Sequence, residues 1–327
     1  MNTAEQSSAG GPLGAPSELP PGGQVGAALS ARQWRQMGII TLGAVAIFAF
    51  LRWLPTGTSL SHMDFRVDAK NSIEFCDPVN PQFIPVVAVA SPVSLSVRSS
   101  PARAGQPVDA VVSLATSSGK PIATNDLSVV HTKRLHLLIT DPSLTDYQHV
   151  HPEPTGQPGE WSFSFVPRAS GAYRVFADFT PAATGRGLYA MDELTVEPSG
   201  NEKVDTSRGA DAVATNEHVF ALTPRTQPWR ARQPIDLTFT ITRRDGGAVS
   251  LAPVMDAYAH LVAFDESRSG FAHLHPMQTD RLASPDKTRP ELNFKVTIPS
   301  AGRYVVWTQV NLAGRETFVP FWFDVVE

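Results

Sequence analysis

The stretch His136-Leu-Leu-Ile-Thr-Asp141, followed by His149-Val-His151-Pro152, returns downstream as His260-Leu-Val-Ala-Phe-Asp265 and His273-Leu-His275-Pro276. In both copies the second histidine follows the first by 13 positions and the third follows the second by 2. The match continues with Pro167-Arg-Ala-Ser-Gly171-Ala-Tyr173 against Pro299-Ser-Ala-Gly302-Arg-Tyr304. The chain has only nine histidines in 327 residues, so two identical triplets mark an internal duplication.

Working outward from these stretches, short alternating or apolar runs are separated by Gly, Pro and Asp turns. Strands are expected at 93–97, 108–114, 135–139, 161–166, 173–179 and 188–196. The second set is expected at 219–222, 235–242, 259–264, 292–298, 304–310 and 318–325. Six or seven strands per hundred residues, with no helical period between them, predict an all-β chain. The expected fold is two tandem Greek-key β-sandwiches, Ig-like or cupredoxin-like, after an N-terminal transmembrane helix. Tyr173 and Tyr304, each just after a glycine, are expected to lock sandwich corners. Trp161, Phe163, Phe165, Trp307 and Trp322 are expected in the cores.

The module boundaries follow from composition. Residues 1–36 are mostly Gly, Ala, Ser and Pro and read as a disordered cytoplasmic segment. Residues 37–55 read as a membrane anchor: 37–51 carry no charge, Arg52 can snorkel and Trp53 suits the interface. A cleaved signal peptide fits less well, because no small-x-small cleavage site follows. Residues 56–91 read as a juxtamembrane linker, 92–198 as module 1, 199–216 as a polar linker and 217–327 as module 2. Arg32 and Arg35 before the span favour an inside N-terminus, placing the modules outside the cytoplasm.

Other classes are excluded or left open by composition. Net charge is −4 with no Lys/Arg block, which argues against a nucleic-acid partner. The single cysteine, Cys76, rules out an internal disulfide framework and is assigned no role.

Histidines two apart on a strand share a face, so His149 and His151 point the same way, as do His273 and His275. Asp141-Pro142-Ser143 reads as a hairpin turn that brings His136 nearly opposite His151. His136, His149 and His151 would then converge on one ion, and His260, His273 and His275 on another. Imidazole suits copper and zinc. Met277, just after Pro276, would add a soft ligand, but the first copy has Glu153 there. Asp141 and Asp265 read as turn formers. The competing reading makes the histidines structural, bonded to one another and to turn backbone.

The His-Leu-x…Asp…His-x-His-Pro pattern, with Pro-x-Ala-Gly-x-Tyr after it, resembles bacterial secreted or membrane-anchored β-sandwich modules described as YtkA-like. The resemblance covers residues 92–327 and implies copper or heavy-metal handling. The expectation is therefore a non-enzymatic copper-binding protein, with zinc as the alternative metal, in the bacterial inner membrane with periplasmic modules. It would sequester metal or pass it to a membrane-embedded transporter or oxidase. The alternative is an interaction or scaffold module of a membrane complex.

Overall fold

The computed structural model describes residues 29–53, 58–66, 81–88, 91–200, 212–277 and 284–327. Cys76 and residues 1–28 of the expected disordered segment lie outside these.

Among its described residues, the N-terminal unit holds one helix, α1 (Ala31–Trp53), starting six residues earlier than the apolar run predicts. The reason is a capping box. Gln33 N donates to Ser30 Oγ (3.3 Å), and Ser30 N donates to Gln33 Oε1 (2.8 Å). The Ala31–Leu51 portion is long and apolar enough to cross a membrane.

Residues 57–327 form one compact unit holding two β-sandwiches. Module 1 contains β1 (Val93–Ser99), β2 (Val108–Thr116), β3 (Leu135–Thr140), β4 (Tyr147–Val150), β5 (Glu153–Pro154), β6 (Glu160–Phe165), β7 (Gly171–Phe179) and β8 (Leu188–Val196). Its sheets run β1-β2-β6-β5 and β4-β3-β7-β8. Module 2 contains β9 (Ala212–Ala214), β10 (His218–Pro224), β11 (Trp229–Arg230), β12 (Pro234–Arg243), β13 (Leu251–Ala252), β14 (His260–Asp265), β15 (Phe271–Leu274), β16 (Glu291–Thr297), β17 (Gly302–Leu312) and β18 (Arg315–Val326). Its sheets run β16-β12-β10-β9 and β11-β18-β17-β14-β15, with β13 also on β17. The order β4-β3-β7-β8 thus recurs as β15-β14-β17-β18, the duplication expressed as topology.

Alternation decides which face each strand buries. On β3, Leu135, Leu137 and Ile139 enter the module 1 core with Trp161, Phe163 and Phe165. The opposite face carries His136, Leu138 and Thr140, and it too is buried. What covers it is the other module. Leu138, Tyr147, Phe176 and Tyr189 of module 1 form one cluster with Val262, Phe264, Phe271, Val305, Trp307 and Trp322 of module 2. Ring pairs tie it together: Phe176–Phe271 at 5.5 Å, Tyr189–Phe271 at 5.4 Å and Tyr147–Trp307 at 5.8 Å between centroids. Trp307 and Trp322 therefore lie between the modules, not inside a sandwich as the sequence led us to expect. Arg174 Nη1 donates to Ser267 O (2.9 Å), and Arg268 Nη1 donates back to Ala172 O (2.8 Å).

Residues 56–91, expected as a linker, include two docked stretches. Leu60 and Phe65 join the module 1 core, and Ser59 N and Leu60 N donate to Asp126 Oδ1 (2.7 and 3.0 Å). Residues 81–88 form a strap over module 2: Ile84 N donates to Phe271 O (2.8 Å) and Val87 N to Ser269 O (2.8 Å). Gly270 permits this approach, since a Cβ there would lie 1.8 Å from Ile84 O.

The turns behave as expected. Asp141 Oδ1 accepts from Thr145 N and Asp146 N (both 2.8 Å), and Asp265 Oδ1 accepts from Ser269 N (2.7 Å). Both corner tyrosines are in place. Tyr304 OH donates to Ser300 O (2.9 Å). Tyr173 OH donates to the buried Asp146 carboxylate (2.8 Å) and accepts from Ala169 N (3.0 Å).

Candidate metal centre

The two hairpins set the histidines. Leu137 pairs with Val150 and Leu138 with His149, so His136 stands across from His151. In module 2, Leu261 pairs with Leu274 and Val262 with His273, which sets His260 across from His275. Among the described residues, His136, His149 and His151 form one group that could hold a metal ion, and His260, His273 and His275 form another. Within each group the candidate ligand atoms lie within 4.8 Å of one another. That is somewhat wider than the roughly 4 Å spanned by two bonds of about 2.0–2.1 Å, so small ring rotations would close either group on an ion.

Because both groups lie on the faces that pack module against module, they adjoin. Ring centroids of His149 and His273 are 5.3 Å apart, those of His136 and His273 5.9 Å, and those of His149 and His260 6.3 Å. Six histidines, three from each module, thus form one cluster.

The hydrogen bonds on the outer side of the cluster decide which ring nitrogens carry protons. A backbone carbonyl can only accept, so His136 Nε2 donates to Val130 O (3.1 Å) and His260 Nε2 to the equivalent Val254 O (2.9 Å). His273 Nδ1 donates to Asp178 Oδ2 (2.9 Å). His149 Nδ1 donates to Gln309 Oε1 (2.8 Å), whose amide is oriented by Gln309 Nε2 donating to Glu316 Oε2 (2.9 Å). In the neutral rings the opposite nitrogens are therefore bare lone pairs, and they face inward. His136 Nδ1 and His149 Nε2 confront each other at 3.1 Å, two acceptors with no proton between them. Among the described residues, His260 Nδ1, His273 Nε2 and His151 Nε2 are buried without a hydrogen-bond partner. A buried acceptor left unmade costs about 1–3 kcal/mol. Converging lone pairs, four of them on rings backed by an acceptor on the far side, are the donor set that a nitrogen-ligated cation requires.

Electrostatics favours the neutral form of His136, His149, His151 and His260. Burial pushes the His136 imidazole below its usual range, with His273 adding to the effect and Asp178 opposing it. Burial first, then the neighbouring rings, holds His149 and His260 well below it. Burial and His136 push His151 down to about 3. Neutral imidazole is the ligating form.

Three further residues join the site that sequence reasoning passed over. His131 stacks on His275 at 3.8 Å between centroids and lies 6.1 Å from His260. It occupies a turn with positive φ at His131 and Thr132, and module 2 repeats that turn at Met255 and Asp256. His131 is thus matched in module 2 by Met255, five residues before the first histidine of that triad. Asp178 and Gln309 are likewise equivalent, each five residues after a corner tyrosine and paired across the ladder with His136 and His260 respectively. That register was the available signal. Met277 is exposed. His218 lies at the start of β10, outside both triads.

Each triad has an opening. A cavity of about 190 Å³ beneath the strap is lined by His131, His136, Asp178, His273 and His275. A broad groove of about 1030 Å³ reaches His149 and His151 beside Lys133 and Glu153.

A family profile matches residues 89–196 and again residues 214–327, described as a domain of unknown function, DUF8832. The chain belongs to the DUF8832 family. The two matches fall on the two modules. No curated protein shows significant similarity to the chain. Among solved structures, the adhesin FdeC from Escherichia coli is similar at 16% identity over 72% of this chain and 63% of that one, with a TM-score of 0.22. A putative membrane anchored protein from Corynebacterium diphtheriae matches at 9% identity over 73% and 59%, with a TM-score of 0.22. The fibronectin(III)-like modules of Clostridium thermocellum CbhA match at 13% identity over 70% and 93%, with a TM-score of 0.18. The chain spans less than two thirds of the first two structures' own length. At such TM-scores these likenesses carry no argument. The YtkA-like resemblance and its copper link have no support in these matches.

Proposed function

We propose that this DUF8832 chain is a non-enzymatic, membrane-anchored, extracytoplasmic metal-binding protein with one three-histidine site per module. The observation that carries this reading is the set of ring orientations. In His136, His149, His260 and His273 the outer nitrogen donates to a fixed acceptor, and the inner lone pair turns toward the other rings of its group. Structural histidines would be expected to satisfy both nitrogens, because leaving one buried and unmatched is unfavourable.

Copper is the first choice of metal and zinc the second, since imidazole serves both and, among the described residues, no thiolate or carboxylate belongs to either group. The α1 span would hold the modules at the outer face of a bacterial cell membrane. There they would sequester metal or pass it to a membrane-embedded transporter or oxidase.

Equilibrium dialysis of the full chain in detergent micelles against Cu(I) under anaerobic conditions tests the reading. About two equivalents should bind. One should be lost in His149→Ala and one in His273→Ala. A chain that binds neither Cu(I) nor Zn(II) would overturn the proposal.

A further inference from the structure

The two triads do not merely lie near each other; each module completes the other's site. His149 belongs to module 1, yet the group that orients it, Gln309, stands on β17 of module 2. His273 belongs to module 2, and the group that orients it, Asp178, stands on β7 of module 1. Asp178 and Gln309 are equivalent positions of the duplicated unit, so the exchange is reciprocal about an approximate two-fold relation. Neither module alone holds its middle histidine in place.

The reciprocity is chemically unequal. One middle histidine is backed by a carboxylate, the other by an amide. A carboxylate behind an imidazole makes the ligating nitrogen more basic and adds a negative charge beside the bound ion. Asp178 is hydrogen-bonded directly to a ligating ring, whereas Glu316 stands one bond further out behind Gln309, and rings of opposite triads are only 5.3–6.3 Å apart between centroids. Coulomb repulsion grows with the product of the charges, so two divalent ions repel about four times as strongly as two monovalent ones.

We infer that the six histidines form a single two-metal centre assembled across the module interface, with the carboxylate-backed triad of module 2 filling first and a pair of Cu(I) ions as its cargo. This rests on the reading of the histidines as metal ligands. The ions occupy neighbouring seats whose affinities are linked through Asp178, Gln309 and the shared ring contacts. Zinc fills one seat, and the charge of the first ion then disfavours the second.

Competition titration of the full chain in detergent micelles, with Cu(I) and with Zn(II), tests this. Two Cu(I) ions should bind with affinities within roughly tenfold of each other, whereas the second Zn(II) should bind roughly 100-fold or more weaker than the first. Asp178→Asn keeps an acceptor for His273 and removes the charge. It should weaken the first site roughly 10–100-fold while leaving the metal-free melting temperature unchanged. Gln309→Glu should tighten the other site and reduce the difference between the two. Two equal Zn(II) sites, or affinities that ignore both substitutions, would overturn the composite centre while leaving the binding function intact. Absence of any metal binding would overturn both.

Discussion

At the residue scale, the outer acceptors Val130 O, Val254 O, Asp178 and Gln309 fix which nitrogen of each imidazole faces outward. Burial of the rings has a pH consequence. His136, His149 and His260 all titrate lower in the folded chain than the ordinary value of 6.5, with burial the leading cause. Below pH ~6.5 the unfolded chain takes up protons that the folded chain refuses, so folding stability is fully present above that pH and falls as the pH drops. Each such ring contributes up to about 1.4 kcal/mol per pH unit within its window. Thermal melts of the metal-free protein between pH 7.5 and pH 5 should show a steadily falling transition. A transition independent of pH there would contradict the buried neutral rings. The six histidines and the opposition of His136 to His151 were legible in the sequence, because spacing and strand period fix them. Asp178, Gln309 and His131 were not, because they reach the site from β7, from the other module and from a left-handed turn.

Elements explain how the site is held. The corner tyrosines were readable from Gly171-Ala-Tyr173 and Gly302-Arg-Tyr304, but their unequal partners were not. Tyr173 serves the buried Asp146, whose carboxyl is pushed up by burial, whereas Tyr304 meets a single carbonyl. Tyr173→Phe should cost about 1.5–3 kcal/mol and Tyr304→Phe about 0.5–1.5 kcal/mol in chemical denaturation. Equal costs would contradict the assignment. The strap at residues 81–88 was read as linker because Pro81, Pro85 and its short length hide any strand period. Gly270→Ala would drive a Cβ into Ile84 O and should release the strap. Amide exchange at Ile84 and Val87 should then speed up, while β12 and β16 keep their protection. Unchanged protection at those two amides would argue against the close approach.

On the scale of the whole molecule, the duplication was plain in the sequence, but the docking of one module on the other was not. An apolar face such as Leu138, Tyr147 and Phe176 reads the same whether it meets its own second sheet or another module. Phe176 is fully buried between the modules. Phe176→Ala should cost about 3–5 kcal/mol and weaken metal binding by loosening the docking of one module on the other. Retained affinity in that variant would separate docking from ligation. The orientation of the chain is testable by protease protection in sealed vesicles, where the modules should be cleaved only from the extracytoplasmic side. The central claim, that two histidine triads bind metal, is tested most directly by an anomalous difference map from crystals loaded with Cu(I). The account expects two peaks at the module interface, one within His136, His149 and His151 and one within His260, His273 and His275. Crystals loaded with Cu(I) that show no peak in either triad, or peaks only on the surface, would contradict it.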